Sequence, residues 1–144
     1  MKYYFTSPLL LLLTFYFISC KKDKNPTPSS APLLGSWEIR SSSPVLGPYV
    51  TFPPGNGEMW KFSGGDQFKL IAHTRTLDSG SFRLSSAIAP YDGKRKNLIR
   101  FNNESTRTIF TIEADTLTLD SYPYDDRGEL LMDGGSATYV RIKD

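Results

Sequence analysis

The 144 residues of this chain predict an all-β domain, built as a single eight-stranded up-and-down antiparallel barrel or, alternatively, as a β-sandwich. Two observations carry that expectation. From Leu33 onward, apolar and polar side chains alternate with period two in short runs separated by clusters of Gly, Pro, Asn and Asp, which is the pattern of half-buried strands joined by turns. No stretch of the same region repeats apolar residues at spacings of three and four over two turns, so nothing in it reads as an amphipathic helix. Closure into a barrel would also remove the exposed edges on which other chains can add strands.

The segment before Leu33 is not expected to join the domain. Lys2 is followed by an apolar run whose densest part, Leu9 to Ile18, is ten residues long and interrupted by Thr14. A membrane-spanning helix needs about 20 apolar residues, so residues 1–19 read as a secretory signal. Residues 33–144 remain, 112 residues, enough for one hydrophobic core. Lys2, Lys21, Lys22 and Lys24 lie outside that domain, as does Asp23, which leaves 13 Lys and Arg against 14 Asp and Glu inside it. A net charge of −1 argues against nucleic acid as a partner.

Cys20 is the only cysteine, so the chain can form no disulfide with itself and no multi-cysteine metal site. Phe17, Ile18, Ser19 and Cys20 resemble the bacterial lipobox, which implies lipidation of Cys20 at the mature N-terminus. The partner is then the membrane, held through the acyl anchor on Cys20, because each buried methylene contributes about 0.8 kcal/mol. Residues 20–32 continue as KKDKNPTPSSAP after the cysteine and read as a flexible Pro- and Ser-rich linker. Extended at about 3.1 Å per residue, Lys21 to Pro32 could hold the domain up to about 37 Å from the bilayer. Lys21, Lys22 and Asp23 resemble, in part, surface-export signals of Bacteroidetes lipoproteins; the periplasmic and the surface-exposed face of the outer membrane both stay open.

The strands follow in order. Gly35 to Arg40 sets Trp37 and Ile39 on one face and Ser36, Glu38 and Arg40 on the other. Trp60 and Phe62 alternate with Met59 and Lys61. After the turn at Gly64, Gly65 and Asp66, the residues Phe68, Leu70 and Ala72 alternate with Lys69, Ile71 and His73. Phe82 and Leu84 then oppose Ser81 and Arg83, Ile99 and Phe101 oppose Leu98 and Arg100, and Phe110 and Ile112 oppose Ile109, Thr111 and Glu113. A tight connection at Ala114 and Asp115 leads to Leu117 and Leu119, and Ala137 to Ile142 closes the set. Either Ala137, Tyr139 and Arg141 or Val140 and Ile142 could face inward in that last strand. Eight strands make a barrel just wide enough to be filled by its own side chains or to hold one small ligand.

Ser41 to Glu58 lacks clear alternation and is long for a connection. It carries Val45, Leu46, Tyr49, Val50 and Phe52 among four prolines, so it should pack on something. A lid over the barrel, with Tyr49 and Phe52 as its apolar contacts, and an Ω-type plug are both consistent with it.

Chemistry has few candidates. His73 is the only histidine, and its parity points it at solvent. The chain contains no G-x-S-x-G elbow, no H-E-x-x-H zinc helix and no phosphate-binding G-x-x-x-x-G-K loop. Asp125, Asp126 and Glu129 lie around Gly128 and read as a solvated loop without the alternating oxygen ligands of a calcium site. No enzyme activity, metal or cofactor is expected. Lys94, Arg95 and Lys96 read as a solvated turn that could touch anionic lipid or nucleic acid. Asp115, Thr116 and Leu117 resemble a Bacteroidetes O-glycosylation signal at Thr116, and Asn103, Glu104 and Ser105 form an N-glycosylation sequon.

Leu34, Gly35, Ser36 and Trp37 form the pattern L-G-x-W. It is followed by W-x-F at Trp60 to Phe62, G-G-D-x-F at Gly64 to Phe68, G-S-F at Gly80 to Phe82, D-T-L-T-L at Asp115 to Leu119 and Y-V-R at Tyr139 to Arg141. In this order and spacing the chain resembles the lipocalin-like domains of Bacteroidetes lipoproteins across nearly all of residues 33–144. The resemblance implies that Trp37 packs across the base of a barrel with Arg141 stacked on it, beside Gly35, and that the first long loop lies over the open mouth. It also implies binding of a small hydrophobic ligand, with Trp60, Phe68, Leu70, Phe82, Phe101 and Phe110 as candidate lining. The competing expectation is a barrel without a cavity, serving as an interaction or structural module of the outer membrane with a protein partner not identified by the sequence.

Overall fold

The computed structural model describes residues 26–102, 104–121 and 134–143. Nine strands succeed one another: β1 (Gly35–Pro44), β2 (Val50–Thr51), β3 (Glu58–Ser63), β4 (Gln67–Ala72), β5 (Arg75–Ile88), β6 (Arg95–Phe101), β7 (Thr108–Glu113), β8 (Thr116–Ser121) and β9 (Gly135–Ile142). Each pairs antiparallel with its neighbour, and β1 also pairs with β9 from Ser36↔Ile142 to Pro44↔Gly135. That last ladder closes the sheet on itself and excludes the sandwich. Eight strands make the wall, and the two residues of β2 add to its rim by pairing with Ser41 and Ser42.

The alternation read from the sequence is the alternation of the wall. Trp37, Phe62, Phe68, Phe82, Ile99 and Leu117 are fully buried and form one cluster with Leu33, Phe101, Phe110, Leu119 and Tyr139. Aromatic packing organises its centre. Trp60 stacks on Phe101 at 4.5 Å between ring centroids, Phe68 meets Phe101 edge-on at 4.9 Å, and Phe62 meets Phe82 edge-on at 5.4 Å, within the range where such pairs add about 0.5–1.5 kcal/mol beyond area burial. In β9 the inward pair is Tyr139 and Arg141, since they oppose Ile39 and Trp37 of β1.

Two β-bulges reset the inward parity. Between Ile39 and Ser41 the β1–β9 register skips Arg40, so the next inward residues of β1 are Ser42 and Pro44, opposite Ala137 and Gly135. Between Leu70 and Ile71 the β4–β5 register skips Leu77 on β5 and sets Asp78 opposite Leu70. An extra residue on one strand bends it and changes which side chains face inward.

Three readings of the sequence are corrected here. The first strand does not end at Arg40 but runs to Pro44, so Ser41–Glu58 is not one long loop; the bulge breaks the alternation that would have shown it. The Pro- and Ser-rich segment is not wholly a free linker, because from Pro26 it lies on the barrel. Ser86 Oγ donates to Pro26 O at 2.9 Å, and residues 31–33 form a 3-10 turn that buries Leu33 completely. His73 does not sit in a strand. With Thr74 it makes the β4–β5 turn at positive φ (46° and 71°), the backbone of the tight hairpin turns that match strand twist, and it is exposed.

Candidate functional site

Up-and-down connectivity sends successive turns to opposite ends. The β3–β4, β5–β6 and β7–β8 turns share one end with residues 31–34; the β4–β5 turn, the β6–β7 loop, the last residue of β8 and the first of β9 share the other. The two ends differ in how they are filled.

The first end is sealed. The Trp37 indole donates to Leu33 O at 2.7 Å. Arg141 lies over the Trp37 ring, its guanidinium carbon 4.1 Å from the ring centroid, and donates to Leu34 O (2.6 Å) and Pro32 O (2.7 Å). Asp115 completes the set, 3.5 Å from Arg141 Nε. Gly35 is required at this point: its φ is +120°, and a Cβ there would stand 3.0 Å from Arg141 Nη1. These residues close the base of the barrel and carry no free reactive group.

The opposite end is open. A cavity of about 480 Å³ occupies it, floored by Trp60, Phe101, Leu119 and Ala137 and rimmed by Ser42, Thr108, Ser121 and Ser136 with two carboxylates, Asp78 and Glu104. No cationic side chain lines it among the described residues. A second cleft of about 220 Å³ lies on the other side of Trp60, lined by Ile39, Leu70, Leu77 and Tyr139. Trp60 Nε1 donates to Tyr139 Oη at 3.2 Å, which holds the indole that both spaces share. Burial pushes the Tyr139 hydroxyl above its ordinary pKa, with the Trp60 hydrogen bond opposing, so this phenol is neutral. The β6–β7 ladder has two described pairs, Leu98↔Ile109 and Ile99↔Thr108, and Glu104 and Thr108 meet the cavity beside Phe101.

The candidate lining residues separate into two sets. Trp60 and Phe101 line the mouth, and Leu70 joins Trp60 at the smaller cleft; Phe68, Phe82 and Phe110 belong to the packed core below. Ser42, Asp78 and Ser136 were not singled out by the sequence, because bulges and strand register bring them to the mouth, and Ala137 was named only as a parity mate of Tyr139 and Arg141. The lid residues also lie elsewhere. Neither Tyr49 nor Phe52 lines the mouth; Tyr49 is 66% exposed, and Phe52 N donates to Arg40 O at 2.8 Å along the wall. The following residues are tied to the outside of β1 through Glu38, which accepts from the N–H groups of Gly55 (3.0 Å) and Gly57 (3.4 Å) and from Arg40. Asn56 adds a hydrogen bond to Ile39 O at 3.0 Å. Burial alone would raise the Glu38 pKa; the Gly55 N–H, Arg40 and the Gly57 N–H outweigh it and hold the carboxyl below its usual value.

Thr116 opens β8 beside the sealed end and is partly buried. Cys20, Asn103 and the Asp125, Asp126 and Glu129 cluster lie outside the described residues. Among the described residues no group of three His, Cys, Asp or Glu could hold a metal ion. Comparisons with protein-family models, with curated proteins and with solved structures find no match.

Proposed function

We propose that this protein is a lipid-anchored, non-catalytic barrel of the bacterial outer membrane, lipocalin-like in kind, that takes a small apolar molecule into its mouth. The observation that carries the reading is the cavity of about 480 Å³ over Trp60 and Phe101, a size within the range of small-molecule sites, which combine an apolar lining with a few polar groups. Apolar area buried against that floor would contribute about 25 cal/mol per Å². Exchange needs no moving lid, because neither Tyr49 nor Phe52 lines the mouth. The anchor rests on Cys20 after an apolar run of ten residues.

Native mass spectra of the full chain, extracted from its own envelope fraction in mild detergent, test the reading before and after denaturation. A small molecule released on unfolding is the expected result. A clean apo mass that is also unchanged by envelope lipid extracts would overturn it and favour the second reading, an interaction module. One observation supports that module: Val45, Leu46, Tyr49 and Val50, all at the rim, are 60%, 90%, 66% and 41% exposed.

A further inference from the structure

The sealed end carries exposed apolar residues beside a run of basic ones. At the β5–β6 turn, Ile88 and Tyr91 are 58% and 50% exposed. Lys94, Arg95 and Lys96 follow within the same hairpin against one acid, Asp92, a local charge of +2 in a domain of net −1. The tip is built rather than loose. Ala89 N donates to Lys94 O (2.8 Å), Gly93 N donates to Ala89 O (2.9 Å), and Lys94 N donates to Asp92 Oδ1 (2.9 Å). Lys96 pairs with Asp92 at 2.8 Å and lies 5.7 Å from the Tyr91 ring centroid.

The chain leading from Cys20 arrives at this same hairpin. Ser86 Oγ donates to Pro26 O at 2.9 Å and accepts from Arg95 Nη1 at 3.2 Å, so the N-terminal segment is hydrogen-bonded to the strand pair that bears the tip. Five residues, Lys21 to Asn25, separate Cys20 from Pro26. Fully extended, they reach about 20 Å. The mouth is farther away, because β1 rises about 3.3 Å per residue at a tilt of about 40° and lifts the rim more than about 20 Å above the sealed end. Asp78 and Glu104 set two carboxylates at the mouth, which an anionic surface would repel while attracting the tip.

We propose that the β5–β6 hairpin tip docks on an anionic lipid surface, with Tyr91 and Ile88 entering the interface and Lys94, Arg95 and Lys96 at headgroup level, so that the mouth points away from the bilayer. The proposal rests on the acyl anchor at Cys20 proposed above. Its consequence is that ligand reaches Trp60 and Phe101 from the aqueous phase and not from the membrane.

The test uses the full chain, processed and extracted from its host membrane, then reconstituted in vesicles of phosphatidylglycerol and phosphatidylethanolamine or of phosphatidylcholine alone. The reporter is Tyr91→Trp, read against the constant background of Trp37 and Trp60, with Tyr49→Trp as the counterpart at the mouth. In anionic vesicles containing brominated lipid, the Tyr91→Trp emission should fall at least about twofold and shift to the blue. The Tyr49→Trp emission should not change. In phosphatidylcholine both should be unaffected, and Lys94→Glu should restore at least about half of the Tyr91→Trp emission lost in anionic vesicles. Mass analysis of the same preparation decides the anchor separately. A chain without acyl groups on Cys20 overturns the anchor and the docking together. An acylated chain whose Tyr91→Trp reporter is unquenched, or whose Tyr49→Trp reporter is quenched instead, overturns the docking and leaves the anchor standing.

Discussion

Arg141 stacks on Trp37 at 4.1 Å while its guanidinium donates to the carbonyls of Pro32 and Leu34. One side chain from the last strand thereby covers the first and holds the segment that precedes it. The planar fork matters here as well as the charge, because an ammonium offers no flat face to the indole and no two donors at fixed spacing.

Arg141→Ala should therefore cost about 2–3 kcal/mol in urea unfolding, combining a partly exposed cation–π contact with two charge-assisted hydrogen bonds. Arg141→Lys should recover less than half of that loss. Gly35→Ala should be destabilising by at least about 1 kcal/mol, since it combines a positive φ with a close approach to Arg141. A full recovery by lysine would contradict the stacking account.

Glu38 gives a pH signature. Its folded pKa is depressed below 4.5, so its contribution is complete above the unfolded value and is lost as pH falls through the folded one. Stability of the native protein should decline below about pH 4.5, and Glu38→Gln should flatten that part of the profile. Amide exchange at Gly55 and Gly57 should rise in the same variant even at neutral pH. An unchanged acid limb would remove Glu38 from the account of the wall loop.

Filling the mouth should separate binding from folding. Ala137→Phe points a ring into the cavity above Leu119 and should abolish ligand retention in native mass spectra with a loss of stability below about 1.5 kcal/mol. Phe110→Ala, in the packed core, should cost about 3–5 kcal/mol. Retention of ligand by a folded Ala137→Phe chain would place the site elsewhere.

The rim carboxylates predict a charge preference. Asp78 and Glu104 face a cavity without a described lining cation, so an amine-headed or neutral apolar compound should bind at least about tenfold more tightly than the fatty acid of equal chain length. Asp78→Asn with Glu104→Gln should shrink that ratio severalfold. Calorimetric titration with a matched amine and acid reads it directly.

Much of the wall was legible in the sequence. Each of the eight expected runs is a strand, because a wall with one wet and one dry face forces period two on the side chains, and the aromatic bulk at Trp37, Phe62, Phe68 and Phe82 named the dry face. The mouth was much less legible. Trp60 and Phe101 were in view as large apolar residues, yet nothing local distinguished them from Phe68, Phe82 and Phe110, which have the same parity and lie deeper. Ser42 and Asp78 were invisible, since a serine or an aspartate in a polar run carries no sign of an interior position, and Ala137 was in view only as a parity mate of Tyr139 and Arg141.

The lid expectation failed for a related reason. An apolar, proline-rich segment states that it must pack, and not where. The surface that holds residues 52–57 is created by Glu38 on the outward face of β1, whose carboxylate gathers N–H groups 17 and 19 residues away.

The amino-acid sequence by itself determined the all-β class, the strand set and the inward aromatic face, because alternation is local and each residue carries its own evidence for it. Tertiary structure alone decided closure through β1 and β9, the sealed and open ends, and the residues at the mouth. Those depend on register across strands up to about a hundred residues apart and on two bulges, each of which turns a strand's inward parity by a single skipped residue.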